Sequence, residues 1–356
     1  MRNRHKQALV IGAGVLLSAA AVGYFMYQMR GHWGAARQAL AGANYLYVIP
    51  SVGFIALMYA LRVLRWRVFL NPIGEVRYSA IASATCIGFM SSCLLPLRPG
   101  EIIRPYVLHR KGGVSFGHAA GTAMGLERAF DLMGVCFLLL LALLLLSAHE
   151  GGAGPTPAES VAKRALLFAA LTAVGFIGLL ALAFAPGLVL RVVGYCLKVL
   201  PRSLSEPLMG FFSSIAQSMR FLRNPGQVAT ATLLSLAIWF CFPLSTYSLA
   251  RGFDLQLTFA GALLAQVVIT AAVVVPQAPG FVGVFHAAAM EGVKLSGVSQ
   301  GDAGAFAMML WAVNVIPITI VGLGFLQRER WSLRNLAQAS QEAATGSRAA
   351  EENEEP

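Results

Sequence analysis

Among long apolar runs, the stretch from Ser91 to Asp131 carries Arg98, Glu101, Arg104, Glu127, Arg128 and Asp131. Arg98 and Glu101 stand three residues apart, as do Glu101 and Arg104, so either pair could meet on a helix. Pro105 disfavours helix at Arg104. Glu127 and Asp131 stand four apart on one helical face, where carboxylates repel unless a cation lies between them or one is protonated. Arg104 or Arg98 is the natural counter-ion. A charge near the middle of a bilayer costs about 3 kcal/mol on insertion scales, so it is rare there unless paired or functional. Two readings follow. One is a cavity for a lipid headgroup, with the arginines on phosphate and the acids on an amine or on the arginines. The other is a buried ion network that locks two segments together.

The elements that hold these residues belong in a membrane. The chain is 57% hydrophobic and 12% charged, against roughly 25% charged for a soluble domain. Several apolar runs approach the ~20 residues a helix needs to span the hydrocarbon. Net charge is +11, but the basic residues sit at the ends of apolar runs, as topology demands, rather than on one aromatic-laced face. Nucleic-acid binding is therefore excluded. Cys86, Cys93, Cys136, Cys196 and Cys241 lie in apolar stretches without a CxxC, which supports neither a disulfide framework nor a zinc site. No Walker motif is present, and no cofactor is expected.

In chain order, Ala8 to Tyr27 reads as an uncleaved first helix with a cytoplasmic N-terminus. Tyr45 to Leu61 ends in Arg62, Arg65 and Arg67, which mark a cytoplasmic end. Tyr78 to Leu95 stops at Pro96-Leu97-Arg98-Pro99-Gly100 with basic clusters on both sides, which predicts a re-entrant hairpin. His118 to Ala148 is too long for a simple span. A poorly basic loop and a crossing from Ala165 to Ala185 follow. Leu188 to Arg223 reads as short amphipathic helices on the inner leaflet or as a kinked extension of the preceding span. Val228 to Ala250 crosses, Phe259 to Val275 stops at Pro276-Gln277-Ala278-Pro279-Gly280, and Ala303 to Leu326 is the last span. Residues 327–356 read as a disordered cytoplasmic tail.

Pro-x-x-Pro-Gly thus occurs twice, 180 residues apart, and each copy ends an apolar run that begins at an aromatic, Tyr78 or Phe259. Each is followed by Val-Ser, at Val114-Ser115 and Val298-Ser299, 184 residues apart. With both hairpins re-entrant, the two copies cross in opposite senses. Inverted repeats with broken helices recur in secondary transporters, with the site at the repeat interface. The helix start at Pro99 or Gly100 could present amides, with Arg98 and Arg104, to an anion. In the second copy Phe281 stands at the position of Glu101 and Val284 at that of Arg104. Glu291, Lys294 and Asp302 read as an external loop, and Gln266, Gln277 and Asn314 as cavity-facing groups or helix–helix contacts.

Leu95–Leu108 (LPLRPGEIIRPYVL), Leu126–Gly134 (LERAFDLMG) and Pro276–Met290 (PQAPGFVGVFHAAAM), with Arg62–Arg67 adding a little, resemble the flippase-like transmembrane family. That family includes the membrane domain of lysylphosphatidylglycerol synthase. The resemblance spans roughly residues 8 to 326. It implies movement of a phospholipid or isoprenoid-type lipid between leaflets. It also implies substrate contact at Arg98, Glu101, Arg104, Glu127, Arg128 and Asp131 and at the turn of Pro276, Pro279 and Gly280. Only about thirty polar residues follow the last run, so lipid movement rather than aminoacyl-lipid synthesis is expected.

The expectation is an all-α polytopic membrane protein with six full spans and two re-entrant helical hairpins forming an inverted repeat. Residues 1–326 make the membrane domain, with repeat halves at 45–148 and 228–326. Its partner is a membrane lipid with an anionic phosphate headgroup, in a bacterial or archaeal cytoplasmic membrane with both termini cytoplasmic. Self-association is left open. The protein is expected not to be an enzyme; a lipid-modifying enzyme and a scaffold of an envelope lipid assembly are the alternatives.

Overall fold

The computed structural model describes residues 2–95, 98–149, 186–197, 209, 221, 224–273 and 278–331. Every regular element among them is a helix. In chain order these are α1 (Arg2–Gln28), α2 (Trp33–Gly42), α3 (Val48–Leu70), α4 (Tyr78–Leu94), α5 (Gly100–Gly112), α6 (Phe116–Ala120), α7 (Glu127–His149) and α8 (Pro186–Leu197). They continue with α9 (Pro225–Gly252), α10 (Phe259–Val273), α11 (Val284–Lys294) and α12 (Gln300–Arg328). Four helical stretches among the described residues are long and apolar enough to cross a membrane: Tyr45–Leu70, Phe116–Leu145, Pro225–Gly252 and Gln300–Arg328. The molecule is a multi-pass membrane protein. The expected crossing over 165–185, the loop before it, most of 188–223 and the tail beyond residue 331 lie outside the described residues, as do Pro96, Pro276 and Gln277.

The landmarks of the repeat are helix boundaries. Tyr78 and Phe259 are the first residues of α4 and α10. The two serines of the Val-Ser pairs are N-caps: Ser115 Oγ accepts from the His118 amide and Ser299 Oγ from the Asp302 amide, satisfying donors that a helix start leaves open. Between these points the copies differ. In the first, α5 begins at Gly100 directly after Pro99. In the second, a short 3₁₀ turn (Pro279–Phe281) and Gly283 intervene and α11 begins four residues after Gly280, at Val284. That insertion explains why the spacing grows from 180 to 184. It also corrects the sequence register: the helical counterparts of Glu101 and Arg104 are Phe285 and Ala288, while Phe281 stays in the turn.

Packing follows the same symmetry. α3 lies along α9; α4 folds back on α5, and α10 on α11. α4 also packs on α12 and α10 on α7, so each hairpin lies against the long helix of the other copy. Exchanging the two sets leaves this pairing unchanged. Glycines set the closest approaches: a Cβ on Gly100 would stand 1.9 Å from the Gly88 carbonyl oxygen, and one on Gly292 would stand 2.9 Å from the Ala265 Cα. Pro105 does not stop α5, which runs on to Gly112 and ends at Gly113 in the left-handed conformation (φ +66°). The proline removes one amide, but the backbone from Glu101 onward already holds the helical turn.

Candidate functional site

Five charged side chains from α3, α5 and α7 meet inside the protein. Arg104 donates to Glu127 at 2.7 Å. One guanidinium nitrogen of Arg65 donates to both carboxylates, at 3.2 Å to Glu127 and 2.8 Å to Asp131, and the other donates to Ser235 of α9 at 2.9 Å. Arg62 donates to Asp131 at 3.3 Å and lies 3.6 Å from Glu127. Trp239 closes the group by donating to Asp131 at 3.3 Å. Arg65 is fully buried and Glu127 is 2% exposed. Within this group three guanidiniums face two carboxylates, and a positive charge is left over.

Local structure explains the convergence. Arg62 and Arg65 are three residues apart on α3, hence on one face, whereas Arg67 points elsewhere and donates to the Val76 carbonyl at 2.8 Å. Six residues of π-helix, Gly121–Leu126, lead into Glu127; such wide turns re-aim the side chains around them and are frequent at functional sites. Thr122 in this stretch accepts from the Trp66 indole at 3.0 Å. Arg104 reaches Glu127 because Gly88 of α4 leaves room for its stem, and a Cβ there would fall 1.8 Å from Cγ of Arg104. Its guanidinium lies 4.4 Å from the Trp66 ring and 4.8 Å from that of Phe89, and Arg62 lies 5.2 Å from Phe89. Aromatic faces thus replace part of the lost hydration. The Nε atoms of Arg65 and Arg104 are buried without a hydrogen-bond partner.

The other expected site residues lie apart from this cluster. Glu101 pairs with neither Arg98 nor Arg104; it pairs with Arg128 on an accessible surface where both side chains are more than a third exposed. Arg98, with φ +54°, turns towards the second copy, donates to the Val273 carbonyl at 3.0 Å and stacks on Phe281 at 5.5 Å. Pro279 and Gly280 form the second turn, whose Gly280 carbonyl accepts from Trp311 at 2.6 Å. The amides of Glu101, Ile102 and Ile103 bond back to the carbonyls of Arg98 and Pro99, so the start of α5 spends its first donors locally rather than on an anion. Gln266 donates to Thr270 and Asn314 to the Leu310 carbonyl, each within its own helix. Glu291 and Lys294 belong to α11 rather than a loop, and Tyr24 and Gln28 of α1 donate to Glu291. Asp302 sits in the first turn of α12.

The sequence offers Arg104 or Arg98 as counter-ion for the two carboxylates, and either a cation between them or a proton on one; the structure puts Arg104 on Glu127, leaves Arg98 apart and sets a cation between the acids. The cation between the acids is Arg65, whose place at the end of an apolar run marks it, with Arg62, as a topology signal in the sequence. Their spacing of three puts Arg62 and Arg65 on one helical face and Arg67 on another, but nothing in that spacing points to α7. Among the described residues no set of three His, Cys, Asp or Glu side chains is placed to hold a metal ion. Beyond the cluster, where α5 and α12 end, Lys111 donates to Glu329, with Ser83 alongside. Burial raises the Glu329 carboxyl, but the hydrogen bond and charge of Lys111 outweigh it and hold the group below its ordinary range.

No curated protein matched the chain in a similarity search. The family model described as the lysylphosphatidylglycerol synthase TM region matches residues 10–322, which includes every charged residue of the buried cluster and both proline-glycine turns. The chain belongs to that membrane family.

Proposed function

We propose that the protein moves a phospholipid or isoprenoid-type lipid between membrane leaflets, its anionic headgroup passing the Arg62, Arg65 and Arg104 guanidiniums. The observation that carries this reading is the surplus cation of a cluster whose two carboxylates are already satisfied by the protein. A headgroup phosphate that leaves water meets guanidiniums held in place beforehand, which lowers the desolvation barrier. The carboxylates then act to orient the arginines and not to hold an amine. Family membership, in a family named for a lipid synthase's membrane region, supports a lipid as the ligand.

In this account α4–α5 and α10–α11 are re-entrant. At 1.5 Å per residue, the 17 residues of α4 reach about 25 Å and the 15 of α10 about 22 Å, short of the ~30 Å hydrocarbon core. Adding α1 and the segment over 165–185 to the four long stretches gives six crossings, two copies of opposite sense and both termini in the cytoplasm. The reading is of a transporter rather than an enzyme.

Leaflet exchange of labelled lipids in proteoliposomes tests it, with wild type beside Arg104→Ala and Glu127→Gln. Each variant is expected to slow exchange about tenfold or more, since a charge-assisted hydrogen bond is worth roughly 1.5–3 kcal/mol. Folded protein that exchanges no lipid from a broad panel would overturn the proposal, and turnover of a lipid in detergent would replace it with an enzyme.

A further inference from the structure

An open groove of about 340 Å³ lies where the two hairpins meet. Its walls are Cys93 and Leu94 at the end of α4, Pro279 and Gly280 of the second turn, and Trp311, Val315 and Thr319 of α12, with Ile316 and Ile320 on its rim. Counted residue for residue from the capping serines, Trp311 falls level with Glu127 and Val315 with Asp131. The groove thus shares two positions with the charged site, where apolar side chains replace the two carboxylates.

Its few polar groups are already used. The Trp311 indole donates to the Gly280 carbonyl and the Thr319 hydroxyl to the Val315 carbonyl. A polar ligand would find little to bond, whereas an apolar chain loses nothing by lying there. A cation stands beside the turn that walls the groove. Arg98 follows the last residues of α4 and stacks on Phe281, the neighbour of Gly280. Among the described residues it donates only to a carbonyl and has no carboxylate within 4 Å, and its Nε is buried without a partner. On the other side, Phe89, one helical turn before Cys93, supports Arg62 and Arg104 of the buried cluster.

We infer that this groove is a docking site for one hydrocarbon chain of an anionic membrane lipid, whose headgroup phosphate is taken by Arg98. The inference rests on the translocase reading and deepens it, because the chain is held beside the cluster before the headgroup crosses. An apolar groove beside a guanidinium that has no ion-pair partner among the described residues matches a molecule that is apolar along its length and negative at one end, and the exposed Ile316 and Ile320 open it towards the hydrocarbon. The occupant is a membrane lipid rather than a peptide or a second copy.

The test places a photoreactive benzophenone side chain at position 316 in full-length protein, reconstituted in vesicles of phosphatidylglycerol with phosphatidylcholine. A control protein carries it at Leu233, which is 68% exposed on α9. After irradiation, mass spectrometry of the intact protein counts each lipid adduct. The inference expects phosphatidylglycerol adducts at position 316 to exceed their share in the vesicle about fivefold, the factor that one cation near lipid phosphate supplies. Arg98→Gln is expected to abolish that excess, Thr319→Trp to reduce both adducts by filling the groove, and position 233 to show no excess. Adducts at position 316 in proportion to vesicle composition, or an excess that survives Arg98→Gln, would overturn it. Leaflet exchange in the same vesicles keeps the claims apart: exchange without selective capture removes the groove and leaves the translocase, and selective capture without exchange does the reverse.

Discussion

Two hairpins that share a Pro-x-x-Pro-Gly motif sit in exchangeable places, and they are held in different ways. The first buries Arg104 against Glu127, with Arg65 and Arg62 behind it. The second buries Phe285, Ala288 and Ala289, with Gly292 close on Ala265. The second therefore serves as an internal control: this backbone arrangement can be stabilised by apolar packing alone. Burying ion pairs is often neutral or unfavourable relative to well-packed hydrophobic residues. Cohesion by itself does not account for five charged groups in the first half, whereas the proposed contact with a charged headgroup would.

The comparison can be broken at matched positions. Glu127→Ala strands Arg104 and leaves Arg65 with Asp131 alone, and removing one partner of a buried pair costs about 3–5 kcal/mol. Thermal unfolding in detergent should show a large loss of stability. Val315→Ala, level with Asp131 in the other half, should cost only about 1 kcal/mol for its trimmed methyl groups. Equal losses would erase the distinction between the halves.

Glycine substitutions sharpen it further. Gly100→Ala meets a fixed backbone carbonyl oxygen at 1.9 Å, whereas Gly292→Ala meets the Ala265 Cα at 2.9 Å. Overpacking of this kind costs about 1–3 kcal/mol, and the first variant should lie at the upper end. Gly88→Ala should spare more stability but displace the Arg104 stem, so exchange should fall further than melting temperature.

Smaller effects belong to the accessible pairs. Glu101→Gln removes an exposed partner of Arg128 and should change stability by less than about 1 kcal/mol. The Lys111–Glu329 contact has a defined pH response. Because the folded Glu329 carboxyl titrates below its ordinary value of 4.5, its contribution is complete above that value and is lost as pH falls through the lower folded value. Opening free energies from hydrogen exchange at the ends of α5 and α12, with the intrinsic pH dependence of amide exchange divided out, should be flat from pH 8 to 5 and fall only in stronger acid, and Glu329→Gln should remove the response.

Much of this architecture was legible because its signals are local. Tyr78 and Phe259 open helices, Ser115 and Ser299 cap them, and Pro-Gly interrupts them, each for reasons contained in a few residues. The pair Glu127 and Asp131 was legible from helical spacing. Arg65 was not, because a cation at the end of an apolar run serves topology in most chains, and only tertiary packing turned it towards α7. The expected pairs of Glu101 failed for the same reason: Arg128, distant in sequence, lies closer in space. The match of Val284 to Arg104 failed because the step in spacing from 180 to 184 shows that four residues enter between the landmarks but not that they enter directly after Gly280.

The central claim is that the surplus cation of the first half acts on an anionic headgroup. Its most direct test is the leaflet exchange rate of labelled phosphatidylglycerol against phosphatidylcholine in proteoliposomes of wild type and Arg62→Gln, the variant that removes the most loosely held guanidinium. The account predicts faster movement of phosphatidylglycerol by wild type and loss of that preference in Arg62→Gln with the fold intact. Equal rates for both lipids in wild type, or a preference unchanged by the substitution, would contradict it.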